Sequence, residues 1–337
     1  MSSANHQPPS PSLLFEITSV VHPAFAFLAA AQLDLFTPLK DGPLGAEALA
    51  ASLGVSALKL KPLLYALAAS NLLKLEGDVF ANTEVADYYL VRTSPRYMGG
   101  MHELLSYMWK AELLTAETIR RGKPAAKADY DSMAEAELLG ALRGLHPGAI
   151  AAAYALMKRY DFSAYKTLVD VGGGTGGVTT TLLEKYSHLD ATILELPSIV
   201  PYTHEFVASS QASDRIKIVA TDVVHDPIEG LYDAAILRAF VHVLGPEEAR
   251  QALKHVAGAL RPGGDIYIAG AVLDDSRLSP PGTVAFNLLF LNVYDGGEAY
   301  TEQEHRTWLE EAGFENMERV LLPDGNSFVT AQKRDSN

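Results

Sequence analysis

The sequence predicts an α/β chain in which an all-helical, winged-helix amino-terminal part precedes a Rossmann-like parallel sheet. Three observations carry this prediction. Leu168-Val169-Asp170-Val171 runs into Gly172-Gly173-Gly174-Thr175-Gly176, which reads as a buried strand ending in a tight turn before a helix. Apolar runs then recur after residue 161 with helix-length segments between them, the order of strand–helix–strand units. Before residue 95, two short helical patterns and a hairpin follow one another in winged-helix order.

The whole chain sets bounds on these elements. Its 337 residues suffice for two domains, and 48% of them are apolar, enough for a large core. The absence of cysteine excludes disulfides, thiolate metal sites and a thiol nucleophile, and suits a cytoplasmic protein. No uninterrupted run of about 18 apolar residues marks a membrane span. Met1–Pro11 is polar and rich in Pro and Ser, without a basic leader region, and reads as a disordered tail. The formal charge is −14, distributed unevenly: residues 1–160 hold 14 Lys+Arg against 15 Asp+Glu, and residues 161–337 hold 13 against 26. A half this acidic does not suit nucleic acid as a partner, because phosphate binding needs a basic surface. A cationic cofactor or substrate is more natural there.

In the amino-terminal half, Leu13–Leu35 is apolar at nearly every helical turn, with Pro23 as an interruption. Helices apolar all round are buried, often against another subunit, so a homodimer through this domain is expected. Ala46–Leu53 reads as a helix stopped by Gly54, and Ser56 as the N-cap of a second helix through Ser70. Leu72–Leu75 and Val79–Asn82 flank Glu76-Gly77-Asp78 as a hairpin. A winged helix often binds DNA through its second helix. Here that helix offers only Lys59 and Lys61, and residues 44–82 balance three basic against three acidic side chains, so a packing and dimerisation role is expected.

Residues 96–160 read as a helical connector. Arg96–Lys123 is expected to be one long helix, with His102, Tyr107 and Trp109 as side chains that could reach a pocket. Residues 133–160 add helix, with a break expected at Gly144-Leu145-His146-Pro147-Gly148. His146 is a further candidate for the pocket wall.

Strands are expected at Thr167–Val171, Ala191–Leu196, Ile216–Ala220, Tyr232–Leu237 and Asp265–Leu273, with Arg319–Leu322 and Ser327–Gln332 as a terminal hairpin. The expected sheet has five parallel strands and a terminal antiparallel one. Glycine lets the turn after the first strand bend sharply and lets a ligand approach the backbone. Gly172, Gly174 and Gly177 satisfy the dinucleotide pattern G-x-G-x-x-G, and Asp170 with the same glycines satisfies D-x-G-x-G, the first motif of S-adenosylmethionine (SAM) methyltransferases. Glu195 stands 19 residues after Gly176, where a carboxylate can accept both ribose hydroxyls of either cofactor. Asp222, just past the third strand, fits an adenine-binding acid and favours SAM.

The ordered set Val169–Gly176, Leu194-Glu195-Leu196-Pro197, Leu237-Arg238-Ala239-Phe240-Val241-His242, Glu247-Glu248-Ala249 and Leu260-Arg261-Pro262-Gly263-Gly264 resembles the caffeic-acid and hydroxyindole (acetylserotonin) type of SAM-dependent O-methyltransferases, bacterial branch. The resemblance covers nearly the whole chain after residue 12. It implies a class I methyltransferase sheet with a winged-helix dimerisation domain. It further implies that Gly172 and Gly174 meet the methionine part of SAM, that Glu195, beside Leu196, holds the ribose, and that Asp222 with Val223 flanks the adenine, beside Arg238. His242 falls where the family keeps its general base, a residue type suited to taking a phenolic proton near neutral pH, with titration expected near about 6.5.

The sequence departs from the family around this histidine. Val243-Leu244 stand where the family has Asp-Trp. The two glutamates that orient the ring are replaced by Gly270 and Ala299, with Glu298 one position away. The helix expected at Thr283–Tyr294 brings Phe286, Asn287, Phe290 and Tyr294 to the acceptor site, where Tyr107, Trp109 and His146 join them. No metal is expected. The chain thus divides as a tail (1–11), a winged-helix dimerisation domain (12–95), a connector lining the acceptor site (96–160) and a SAM-binding domain (161–337). The expected reaction is methyl transfer to a small-molecule hydroxyl, aromatic or polyketide-like. A thioether acceptor, such as 4-methylthio-2-hydroxybutyrate, needs no base and is the rival reading. A non-catalytic SAM-binding regulator and an NAD oxidoreductase are more distant ones.

Overall fold

In the computed structural model, residues 10–130 and 132–335 are described. All but Ser10 and Pro11 of the expected tail lies outside them. The chain forms two compact units, divided between His102 and Glu103.

The first unit begins with α1 (Ser12–Ser19) and α2 (Val21–Gln32). The junction falls at Val20 and not at Pro23, which sits in the first turn of α2. A proline is tolerated there because the first N–H groups of a helix have no acceptor within it. No residue of α1 is buried, and Leu13, Leu14, Phe15 and Ile17 are all at least 60% exposed. Ser12–Gln32 together make a helical stretch of 21 residues with mean hydropathy 1.7, long and apolar enough to cross a membrane by length and composition alone. The sequence reading missed this because Glu16, His22 and Pro23 interrupt the apolar run. β1 (Leu44–Gly45), α3 (Ala46–Leu53), α4 (Ala57–Ala69), β2 (Leu73–Glu76), β3 (Val79–Asn82) and α5 (Glu84–Tyr89) complete the winged-helix arrangement. The strands pair antiparallel in the order β1-β3-β2, with Gly77 at φ +60° in the hairpin turn. Leu49, Leu60, Leu64, Leu67, Leu73 and Phe80 form the core that holds helices to wing.

The helix expected over 96–123 is two helices, α6 (Met101–Glu112) and α7 (Thr115–Arg121), parted at Leu113-Leu114. Conversely, the break expected near residue 146 is absent, and α8 runs unbroken over Glu135–Arg159 with Pro147 inside it. The glycines of α8 serve close approach instead of a turn. A Cβ on Gly144 would lie 2.5 Å from the Leu104 side chain, and one on Gly148 would lie 2.8 Å from the Arg238 guanidinium.

A seven-stranded sheet follows: β4 (Thr167–Val171), β5 (Asp190–Glu195), β6 (Ile216–Ala220), β7 (Tyr232–Arg238), β8 (Leu260–Gly270), then β11 (Phe314–Leu321) and β12 (Ser327–Lys333). Short β9 (Val272–Leu273) and β10 (Tyr300–Thr301) pair separately, in parallel. Between the strands run α9 (Gly177–Lys185), α10 (Val200–Val207), α11 (Pro246–Ala259), α12 (Pro281–Val293) and α13 (Glu302–Glu311). The strand order is β11-β12-β8-β7-β4-β5-β6, with β4 to β8 parallel and β12 antiparallel to both neighbours. The closing element is therefore the expected hairpin, and both of its strands join the sheet, where a single antiparallel strand was expected. Its first strand also begins at Phe314, earlier than the Arg319 expected. One apolar cluster fills each face of the sheet. β4 lies between β5 and β7, so strand order reverses there. In open α/β sheets the ligand crevice opens beyond the carboxyl ends of the strands at such a point.

Candidate active site

The crevice begins with Asp170, the fourth residue of β4. Its side chain is buried, and Oδ2 accepts a 2.6 Å hydrogen bond from the Thr179 hydroxyl on α9. Its Oδ1 has no hydrogen-bond partner. Burial, with the nearby Glu195 carboxylate adding, pushes the Asp170 pKa up to about 6, while Thr179 and Arg238 oppose the shift. The chain then turns through glycine. Gly172 has φ +65°, and a Cβ there would lie 2.6 Å from the Phe240 ring. Gly174 has φ +57° with nothing within 4 Å of where a Cβ would stand. Its N–H donates to Glu195 Oε2 at 2.7 Å, and the Leu196 N–H donates to Oε1 at 2.8 Å. Burial raises the Glu195 pKa, and these two backbone bonds pull it back.

Asp222 follows β6. One of its oxygens accepts from the Val224 N–H at 3.0 Å, and the other meets His225 Nδ1 at 2.8 Å. The Val223 side chain is buried, and its carbonyl accepts from His255 Nδ1 at 2.8 Å. β7 ends at Arg238, whose basicity burial lowers and Asp170 restores in part. Ala239, at φ +52°, then bends the chain into the short 3-10 turn Val241–Val243 that carries His242.

His242 is half-buried. Its ring stacks on Phe290 of α12, centroids 4.4 Å apart and 13° from parallel. Burial, then the Arg238 charge and His305, push its pKa down to about 3. That corrects the expected titration near about 6.5: the imidazole is neutral throughout the physiological range. A Cβ on Gly270 would lie 3.1 Å from His242 Nδ1. Glu298 instead pairs with Arg277, at 3.8 Å.

The residues expected to meet the acceptor separate into groups. Phe290 is buried as the support of His242, and Phe286 meets it edge-on at 5.2 Å. The Asn287 side-chain oxygen accepts from the Ala299 N–H at 2.7 Å. Tyr294, at the end of α12, shares a hydroxyl hydrogen bond with Tyr130, and Tyr107 of α6 adds a third phenol, its pKa pushed up to about 12 by burial. Trp109 is half-buried on α6. His146 Nδ1 lies 2.8 Å from the Thr175 hydroxyl, which puts its ring beside the glycine turn. His102 bonds the Gly99 carbonyl in the first unit. Tyr130 escaped the sequence reading because it stands in a loop without periodicity. Thr179 escaped it too, although a threonine nine residues after a motif aspartate is a usable signal. Among the described residues, no three His, Asp or Glu side chains gather as metal ligands.

An acid at the end of the central strand, a glycine turn opening a helix and further acids beyond the two adjacent strands define a Rossmann-like nucleotide-cofactor enzyme of the methyltransferase kind. Residues 121–315 match the O-methyltransferase domain, and residues 16–92 match the O-methyltransferase dimerisation domain. The chain belongs to the O-methyltransferase family. It is 27% identical over 332 residues to the tetracenomycin polyketide synthesis 8-O-methyl transferase TcmO of Streptomyces glaucescens, covering 96% of this chain and 97% of that one. It is 29% identical to the 3-hydroxy-5-methyl-1-naphthoate 3-O-methyltransferase of Streptomyces sahachiroi, covering 96% and 95%. Human N-acetylserotonin methyltransferase, solved in complex with SAM, shares the fold with a TM-score of 0.83 at 23% identity, covering 98% and 99%. The protein is thus a SAM-dependent methyltransferase of this family.

Proposed function

We propose that the acceptor is a hydroxylated aromatic or polyketide-like metabolite and that His242 takes its proton. The observation that carries this is a neutral, half-buried imidazole stacked on Phe290 at the carboxyl edge of the sheet. The Phe286 ring and the Tyr107, Tyr130 and Tyr294 phenols offer flat faces and hydroxyls to a planar, oxygenated acceptor. The named substrates of the two Streptomyces relatives, a tetracenomycin polyketide and a hydroxynaphthoate, are of this kind.

The residues present fit SAM. The unpartnered, buried Oδ1 of Asp170 suits a cationic ammonium group. Glu195, with lone pairs left on both oxygens, suits ribose hydroxyls, and Leu196 lies beside it. Asp222 and Val223 would flank the adenine, with Arg238 next to them, and Gly172 and Gly174 would admit the methionine part. When bound, SAM supplies an electrophilic methyl group on a sulfonium.

The protein's share of catalysis begins with holding the acceptor oxygen in line, where proximity and orientation can contribute several kcal/mol. His242 accepts the hydroxyl hydrogen bond. A free phenol, with a pKa of about 10, does not ionise onto an imidazole whose pKa is about 3. An oxygen that is gaining a third bond is a far stronger acid, and it passes its proton to His242 late, as that bond forms. The base thus needs no acidic partner to be competent, and its contribution falls toward the lower end of the usual range of about 10²–10⁴.

In this reading residues 12–95 join two copies as a homodimer, residues 96–160 line the acceptor site and residues 161–337 bind SAM. The lack of cysteine suits a cytoplasmic setting. The test is a SAM-consumption screen of phenols, aliphatic alcohols and thioethers with product mass determination. Phenols turning over fastest support the reading, and a thioether preference overturns it.

A further inference from the structure

We infer that Tyr300 is the positioning residue for His242, aiming the imidazole through main-chain hydrogen bonds in place of an acidic orienter. The inference rests on the reading of His242 as base. Tyr300 is fully buried, and its hydroxyl donates to the Leu244 carbonyl at 2.6 Å and lies 3.0 Å from the Gly296 carbonyl. Leu244 is the residue that ends the 3-10 turn carrying His242. One phenol therefore ties the histidine's turn to the loop that faces it.

That loop touches the turn backbone to backbone. A Cβ on Gly297 would lie 2.6 Å from the His242 carbonyl oxygen, and one on Gly296 would lie 3.1 Å from the Gly245 Cα. The far end of the loop is fixed by the Ala299 N–H donating to Asn287 on α12. The same helix carries Phe290, on which the imidazole stacks. The contacts close a ring: His242 to Leu244, Leu244 to Tyr300, Ala299 to Asn287, and Phe290 back to His242. Tyr300 is itself held in place, edge-on to Trp308 at 4.6 Å and paired through β10 with Val272.

The imidazole also fills the space in front of Gly270, where a Cβ would already be 3.1 Å from Nδ1. A carboxylate at position 270 would have to displace the ring. The charged and titratable groups around this assembly are Arg238 and His305 near His242, and Glu298, Glu304, Glu248 and Arg277 near Tyr300. Burial keeps the Tyr300 hydroxyl protonated, so it remains a donor at all working pH values.

Tyr300→Phe in the full-length protein keeps the ring packing and removes only the hydroxyl. Small misplacements of a reacting group can cost up to about 10²-fold, so kcat is expected to fall by about ten-fold or more. SAM affinity and melting temperature should stay near wild type. In protein without SAM, the proton NMR titration of the His242 ring, assigned by its loss in His242→Gln, should move upward as water reaches the loosened turn. Gly297→Ala pushes the same turn from its other side. It should lower kcat by about ten-fold or more and move the His242 titration with SAM affinity little changed, though its Cβ meets backbone and the melting temperature should fall. Wild-type kcat in either variant overturns the inference, as does a kcat loss matched by equal losses of SAM affinity and melting temperature. If His242→Gln itself turns over at the wild-type rate, the base reading fails, and that outcome is distinct from a failure at Tyr300 alone.

Discussion

Replacing Asp170 by asparagine should make the cofactor-free protein more resistant to unfolding at neutral pH while weakening its hold on SAM. The carboxyl is 1% exposed, so almost no solvent reaches it to screen the cost of its charge. Burial raises its pKa from 3.8 in the unfolded chain to about 6 in the folded protein. Well below pH 3.8 the group is protonated in both states and carries no penalty. Between about pH 4 and pH 6 the unfolded state loses its proton first, so stability falls as pH rises, and the penalty is complete above about pH 6. A shift of about two units corresponds to about 3 kcal/mol. Asparagine keeps an oxygen for the Thr179 hydroxyl and has no charge to bury, though its amide brings a pH-independent cost of its own. The informative quantity is therefore the stability difference between variant and wild type at pH 8, less the same difference at pH 4. Urea unfolding of both proteins at the two pH values should give about 2–3 kcal/mol in favour of the variant. Calorimetric titration should show SAM binding reduced in the same variant. A stability difference independent of pH would refute the argument that Asp170 is a buried, uncompensated charge.

Further outcomes follow from the site and the first unit. Asp222→Ala and Glu195→Ala should each weaken SAM binding by about 0.5–1.5 kcal/mol in calorimetry with melting temperature little changed, and unchanged affinity in both removes the cofactor assignment. His242→Ala should lower kcat by about 10²-fold, the lower end of the range for a general base. In the wild type at saturating SAM, so that protonation of Asp170 near about pH 6 does not limit cofactor binding, kcat should show no acid limb from His242 near pH 6.5, because burial pushes its pKa down to about 3, and a kcat limb there that is lost in His242→Gln would contradict that burial. Gly174→Ala, at φ +57° with free space beyond it, should cost about 1–2 kcal/mol of stability and a larger fraction of SAM affinity, read by denaturation and calorimetry. Leu14→Lys combined with Phe15→Lys, at positions 64% and 68% exposed, should turn a dimer into a monomer in light scattering, and a wild type already monomeric at micromolar concentration removes the dimer.

The parts of the structure legible in the sequence are those written in local pattern. β4 and the glycine turn stand where the apolar run and glycines place them, because a strand buried on both faces leaves a continuous signature. The reading failed where long-range contact overrides local preference. Gly144 and Gly148 read as a break in α8, yet they are glycine because Leu104 and Arg238 leave no space for a side chain. β11 was read short because its first residues, Phe314 to Glu318, mix charged with apolar side chains and contain a register shift against β12. Within the site, the cofactor-side acids follow the order of the strands and are readable from spacing. Tyr130 and Tyr300 act through partners 164 and 56 residues away, Tyr294 and Leu244, and no spacing announces such pairs.

The join between α7 and α12 has a consequence for anyone wishing to widen the range of acceptors. Asn292 of α12 is wholly buried, takes the Thr118 hydroxyl hydrogen on its oxygen at 2.6 Å, and gives its amide hydrogens to Thr115 at 2.8 Å and to the Leu288 carbonyl at 2.7 Å. α7 itself buries little apolar surface, and its Ile119 is 67% exposed. Oil-like contact alone would let such a short helix settle at several rotations. A buried amide with three specific partners accepts only one, since any slip strands polar atoms in a dry interior. Libraries that exchange Phe286 or Tyr294 to reshape the proposed acceptor wall can therefore vary those positions freely only while residue 292 and its two threonines stay as an address. If they are changed as well, the wall loses its bearings before it gains a new substrate.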